Sequence, residues 1–178
     1  MTSISLMPLR AMRRSLLPCF VIAMAAVVTL PATPVATPVA AQSPSTSPEH
    51  AAAYAVVTGL FDGMRARDTA SMRAAFVENA VLQSLTPTGV KSDGIEGWLR
   101  SVGAAPAGTV IDERLANPVV HVDGDLASVW VDYWLFVGER FSHCGVDAIL
   151  LAKREGAWRI FSVVDTRRRE GCASAPAR

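Results

Sequence analysis

Cysteine, a surplus of charge of either sign, and apolar runs long enough to span a bilayer are all scarce in this chain of 178 residues. Its 17 basic and 16 acidic residues leave a formal charge of +1, so no field for nucleic acid is implied. There are only 3 cysteines, and His121, His143, Cys144 and Cys172 lack the short ligand spacing of known zinc sites. No metal and no cofactor are expected. No nucleophile-elbow motif occurs, which removes the common route to Ser/His/Asp catalysis. There is no internal repeat.

The N-terminus reads as an address. Arg10, Arg13 and Arg14 precede the apolar run from Leu16 to Leu30, and Val39-Ala40-Ala41 supplies small residues for a signal peptidase. The run is shorter than the roughly 20 residues a membrane span needs, and it is interrupted by Pro18 and Pro31. Residues 1–41 are therefore expected to be a signal peptide, starting at Met1 or Met12, cleaved to leave Gln42. A secreted or periplasmic protein with no stable membrane anchor follows. Removing three Arg and no acid leaves 14 basic against 16 acidic residues, close to neutral. Residues 42–49 are a polar Pro/Ser stretch with nothing to bury, expected to be a disordered tether.

Beyond the tether the pattern is helical first and extended later. Ala53, Val56, Val57, Leu60, Phe61 and Met64 form the stripe of an amphipathic helix over 49–67. Asp68 caps a short second helix through Phe76, and Val81 to Leu85 reads as a strand followed by a Thr-Pro-Thr-Gly turn. A third helix begins at Ser92 or Asp93. From Thr109 onward the runs are rich in β-branched and aromatic residues, with Asp123-Gly124, Gly138-Glu139 and Glu155-Gly156 as turns. Pro118 requires an edge, a bulge or a break. The order indicates an α+β domain over 50–172, with helices on one face of a bent antiparallel sheet, and a frayed tail over 173–178.

Strand parity then sorts the side chains. With Glu155-Gly156 and Gly138-Glu139 as two-residue turns, Trp130 faces Asp147, Asp132 faces Gly145 and Trp134 faces His143. One face would carry Trp130, Asp132, Trp134, Phe136, His143, Asp147 and Thr166 as a ligand pocket. The other would carry Val129, Val131, Tyr133, Leu135, Cys144, Val146 and Asp165. A one-residue slip at either turn would exchange a whole strand's set. Asp165 is expected to end the last strand and anchor Arg167 or Arg168. Cys144 and Cys172 remain after signal removal, and an even pair in an oxidising compartment favours a disulfide; two unpaired thiols are the alternative.

The segment from His50 to Cys172 resembles the nuclear-transport-factor-2-like superfamily, which includes the SnoaL-like and ketosteroid-isomerase-like proteins. The residues that carry the resemblance are Met64-Arg65-Ala66-Arg67-Asp68, Phe76-Val77-Glu78-Asn79-Ala80-Val81-Leu82 and Gly156-Ala157-Trp158-Arg159-Ile160. His143-Cys144-Gly145-Val146-Asp147-Ala148 and Asp165-Thr166-Arg167-Arg168 resemble a secreted bacterial subgroup. The resemblance implies a cystatin-like, cone-shaped curved antiparallel β-sheet wrapped around three N-terminal helices. It does not imply one activity, since that fold hosts isomerases, dehydratases, cyclases and binding modules.

Three functions stay open at this level. The first is binding of a small, partly apolar or aromatic molecule without turnover. The second is proton-transfer chemistry, isomerisation or dehydration, with Asp132, His143 and Asp147 as acid, base or orienting groups. The third is a homodimeric interaction module paired through the sheet.

Overall fold

The computed structural model describes residues 47–177, all within the unit Gln42–Arg178. The expected signal peptide and residues 42–46 of the tether lie outside the described residues. Ser47 and Pro48, expected in the tether, belong to the cap and first turn of the first helix, which Glu49 shares. The Ser47 hydroxyl accepts from the His50 amide, and α1 runs Pro48–Ala66 with proline in its first turn, where no amide donor is lost. Arg67, at φ 60°, turns the chain out of the helix, and its amide and that of Asp68 bond back to Met64 and Gly63. The buried stripe is Ala53, Val57, Leu60, Phe61 and Met64, as the periodicity requires. Asp68 then caps α2, Thr69–Ala74, by accepting from the Ser71 amide at 3.0 Å.

Phe76 opens β1 (Phe76–Thr86) instead of closing α2. The Thr-Pro-Thr-Gly stretch is a turn as expected, but it leads into a further strand, β2 (Gly89–Gly94). Every residue of β2 is exposed, so its sequence has no apolar alternation by which to announce itself. Helix α3 consequently starts at Ile95 and ends at Gly103, burying Ile95, Leu99 and Val102. Four strands complete the chain: β3 (Ile111–Asp123), β4 (Leu126–Val137), β5 (Arg140–Arg154) and β6 (Ala157–Thr166). The sheet order is β2-β1-β6-β5-β4-β3. All neighbours are antiparallel except β1 and β6, which run parallel. The fold is the α+β arrangement expected, a curved six-stranded sheet with the helices on its inner side. The β3–β4 connection falls on Gly124-Asp125, one residue later than the Asp123-Gly124 pair.

Two bulges decide which side chains meet. The β4–β5 hairpin starts as expected, with Val137 opposite Arg140 and Phe136 opposite Phe141. Ser142 is then an extra residue, so Leu135 faces His143 and Val131 faces Asp147. The β5–β6 hairpin likewise starts with Arg154 opposite Ala157, but Phe161 is extra, and Asp147 faces Asp165 instead of Val164. Bulges of this kind also bend and twist a strand, which suits a sheet curved around helices.

The helices seal the inner face through a core of Val57, Leu60, Met64, Met72, Val129, Val131, Ile149, Leu151 and Ile160. Arg65 Nε donates to Asp112 Oδ1 at 2.7 Å, fastening the end of α1 to β3. Glu49 at the other end accepts from Lys153 Nζ at 2.8 Å and from Trp158 Nε1 at 3.1 Å. Among the described residues no helix is long and apolar enough to cross a membrane.

The C-terminal segment is docked where fraying was expected. Cys144 and Cys172 form a disulfide, and Cys144 and Arg168 exchange two backbone hydrogen bonds of 2.9 Å. Beyond the bridge, Trp134 Nε1 donates to the Ala173 carbonyl at 2.8 Å, and Arg114 donates to the Pro176 carbonyl at 3.2 Å. Trp134 is only 6% exposed. Opening the bridge frees a loop of sequence separation 28, so Cys172→Ala is expected to cost about 3 kcal/mol in chemical denaturation. It should also shift Trp134 emission to the red as the strap lifts. An unchanged midpoint and spectrum would mean that the strap holds without its bridge.

Candidate functional site

Between α1, α3 and the inner face of the sheet lies a cavity of about 810 Å³. That is within the usual range for a small-molecule site. Its walls are apolar: Leu60, Phe61 and Met64 from α1, Trp98 and Val102 from α3, and Leu82, Leu135 and Val163 from the sheet. Phe76 and Trp98 meet edge to face at 6.1 Å, holding the α3 side of the cavity. Lys91, Asp93, Glu96 and Arg100 also line it, with Lys91 paired to Asp93 at 2.9 Å and Glu96 to Arg73 at 2.9 Å.

The chemistry is concentrated where β3, β4, β5 and β6 present inward side chains. Glu113, Tyr133, His143, Asp147, Asp165 and Arg167 all line the cavity there. Tyr133 reaches across β5, donating to the Thr166 carbonyl at 2.9 Å and lying 3.2 Å from Asp165 Oδ2. It can cross because residue 145 is glycine. A Cβ at Gly145 would sit 1.8 Å from the Thr166 carbonyl oxygen and 2.7 Å from the Tyr133 ring. Arg167 Nε donates to Asp165 Oδ2 at 2.5 Å, which is the anchoring the sequence led one to expect. The His143 ring stands edge-on to Tyr133 at 5.6 Å and pairs through Nδ1 with the Ser142 hydroxyl at 2.9 Å. Burial, reinforced by Arg167, lowers the His143 pKa and keeps the ring neutral.

The carboxyls of Glu113 and Asp147 form a pair. Asp147 is 3% exposed, and its Oδ2 receives no hydrogen bond from any fixed donor. The Glu113 carboxyl lies beside it, close enough to interact, and a hydrogen bond between two carboxyls needs one of them protonated. Burial first, then the nearby Asp165 charge, pushes the Asp147 pKa up to about 7 against the lowering effect of its bond to Glu113. Burial and the Asp147 charge raise Glu113 well above the usual carboxyl range. Tyr133 is raised too, by burial and then by Asp165.

The sequence-derived pocket is therefore half corrected. His143 and Asp147 line the cavity. Trp130, Asp132, Trp134 and Phe136 lie on the opposite face, because the Ser142 bulge offsets β4 from β5 by one residue. Trp130 is 55% exposed there. Asp132 accepts from Asn117 Nδ2 at 2.9 Å, far from any acid/base role in the cavity. Phe136 packs on Phe141 and under the Arg114 guanidinium. Thr166 turns its hydroxyl to the Val146 amide at 3.1 Å and contributes its carbonyl to Tyr133. Tyr133, Leu135 and Asp165, assigned to the other face, belong inside. Glu113 was missed. The one signal for it was a carboxylate within a predicted strand, two residues from Ile111 and Leu115, which alternate with it toward the core.

This architecture is that of the nuclear-transport-factor-2-like proteins, and many solved structures share it, among them the following three. One is an NTF2-like protein of unknown function from Shewanella baltica OS155, 19% identical with a TM-score of 0.56, covering 68% of this chain and 95% of that one. Another is an NTF-2-like protein of unknown function from Silicibacter pomeroyi DSS-3, at 24% identity and TM-score 0.54, covering 66% and 94%. The third is described as a "putative dehydratase from the NTF2-like family" of Streptomyces avermitilis, at 19% and 0.55, covering 68% and 96%. No curated protein matches. A family model described as "Putative lumazine-binding" matches residues 48–164, and the chain belongs to that family.

An acid whose pKa is raised on folding binds its proton more tightly in the folded chain, so its charging costs stability. For Asp147 that cost is absent below the unfolded value near 3.8 and is complete once pH passes about 7. Asp147→Asn is therefore expected to gain on the wild type as pH rises from 4 to 7, at up to roughly 1.4 kcal/mol per pH unit, and to level off above that. Urea denaturation at several pH values measures the difference. A constant difference across that window would mean that Asp147 titrates normally.

Proposed function

We propose that this protein binds a flat, mostly apolar small molecule in the cavity, holding it by a polar edge against Asp147 and Glu113. One observation carries the reading: a buried carboxyl oxygen that no described residue donates to, at a polar floor beneath apolar walls. An unsatisfied buried acceptor is costly, and a ligand donor would relieve it. The lumazine named in the family's description, a flat bicyclic ring system with N–H and carbonyl edges, suits such a chamber. Titration with lumazine should quench the emission of Trp98 saturably, and Trp98→Phe should abolish that quenching. Asp147→Asn is expected to weaken binding about tenfold, the worth of one hydrogen bond to a charged or proton-sharing group. Lumazine that leaves Trp98 emission unchanged, or binds the Asp147 variant equally well, would sink the reading.

A second reading is favoured by the acid pair itself. A carboxyl poised at about 7 beside a partner carboxyl is suited to take up and return a proton at neutral pH. In that case Asp147 and Glu113 exchange the proton, Tyr133 and His143 orient the substrate, and Asp132 plays no part. The disulfide supports a secreted or periplasmic location for either reading, together with the leader-like residues 1–41. Exposed Val119, Leu126 and Trp130 on the outer face support pairing of two copies through the sheet. Native mass spectrometry of exported protein tests these points together. Expected are a chain beginning at Gln42 and lighter by two protons than its reduced form, a dimer, and a retained molecule that takes up no deuterium at carbon in D2O. Deuterium uptake would move the assignment to the proton-transfer reading; a monomer or an uncleaved chain would remove the corresponding claim.

A further inference from the structure

The floor of the cavity constrains which edge a ligand can present. Three carboxyls, Glu113, Asp147 and Asp165, converge there from β3, β5 and β6. The charged side chain nearest them, Arg167, is engaged by Asp165 at 2.5 Å. His143 is held neutral, and Tyr133 spends its only proton on Thr166 and Asp165. The basic residues Lys91 and Arg100 come from β2 and α3, and Lys91 is already paired with Asp93. The floor thus offers acceptors in excess, and among the described residues none donates to Asp147 Oδ2, which is buried.

An anion placed against this floor would add a further negative group to a desolvated acidic cluster. A ligand bearing only acceptors would leave Asp147 Oδ2 without a donor. A ligand with two N–H or N/N–H positions side by side behaves differently, because it matches the two oxygens of a carboxyl in either protonation state. When the acid pair keeps its proton, a neutral ring nitrogen accepts from the carboxyl while the amino group donates to it. When the pair has released it, a protonated ring nitrogen and the amino group both donate.

Building on the small-molecule reading above, we propose that the cavity selects a flat nitrogen base that turns an amidine edge, a ring nitrogen beside an exocyclic amino group, onto the Asp147 carboxyl. Glu113 acts as the proton-sharing neighbour that lets the site accept such a base in neutral or cationic form. The rest of the molecule is apolar and lies between Phe61, Trp98 and Leu135. Carboxylates and phosphates of the same size are rejected.

Matched bicyclic probes test this: 2-aminoquinoline, 2-naphthamidine and 2-naphthoate, each titrated into the full mature protein by calorimetry at pH 7. The two bases are expected to bind at least tenfold more tightly than 2-naphthoate. In Asp147→Asn the preference should shrink to within about threefold, and Glu113→Gln serves as the second variant if circular dichroism shows the first to be unfolded. Naphthoate binding as well as the bases would overturn the edge assignment and leave the cavity as a general apolar site. A base preference that persists in both folded variants would overturn the role of the acid pair. If none of the three bicycles binds, the small-molecule reading falls and this inference falls with it.

Discussion

The Tyr133 side chain crossing Gly145 to reach the Thr166 carbonyl is the interaction on which the rest of the site depends. It links β4 to β6 over the top of β5, so three strands are fixed against one another by a single phenol. The crossing places Tyr133 beside Asp165, and Asp165 in turn sets Arg167 at the cavity. The same stretch of backbone then runs on to Arg168, where it pairs with Cys144 on the strand just crossed. Any side chain at 145 would collide with both backbone and ring, so that position is closed to every residue but glycine. Cavity floor and C-terminal strap are consequently two ends of one short segment.

Placing acids on strands has an energetic consequence. Asp147 and Asp165 have paired strands on both sides and Glu113, on the border strand β3, has one on one side, so the backbone holds the cluster together despite its mutual repulsion. Raised pKa values at Glu113 and Asp147, which keep protons on the pair, and the Arg167 guanidinium on Asp165 relieve it. The stability lost by holding these groups inside is offset by the helix faces that close over the apolar walls, with α1 tied at both ends by Glu49 and Arg65. A chamber kept costly in this way is set apart from an ordinary packing defect, whose lining would be aliphatic throughout.

Much of this was legible in the chain. The stripe of α1, its end at Met64-Arg65-Ala66-Arg67-Asp68, the turns at Gly138-Glu139 and Glu155-Gly156, a third turn displaced by one residue, and the bulge at Pro118 on an edge strand follow from periodicity and turn chemistry. The pairing of Cys144 with Cys172 followed from counting thiols. What parity could not give was the pair of bulges. Ser142 and Phe161 carry no glycine, proline or asparagine to mark them, and each offsets one strand from its partner by one residue. That offset sent Trp130, Asp132, Trp134 and Phe136 outward and brought Tyr133 and Asp165 inward. The all-exposed β2 was invisible for a different reason, having no buried face to pattern it. The docking of residues 173–177 rests on carbonyls, which every residue has, and so leaves no trace in residue type.

The break in β3 bears on how the molecule behaves in a crowd. This strand forms one border of the sheet, and a long flat border of unpaired amides and carbonyls is a template onto which another chain can polymerise. Asn117 at φ 53° and Pro118 interrupt the 13 residues near their middle, removing one donor and turning the strand out of plane. What remains is a border whose register shifts between Ala116 and Val119, so its two halves do not present one regular template. Growth along the border is discouraged by the same two residues, while the outer face still exposes Val119, Leu126 and Trp130.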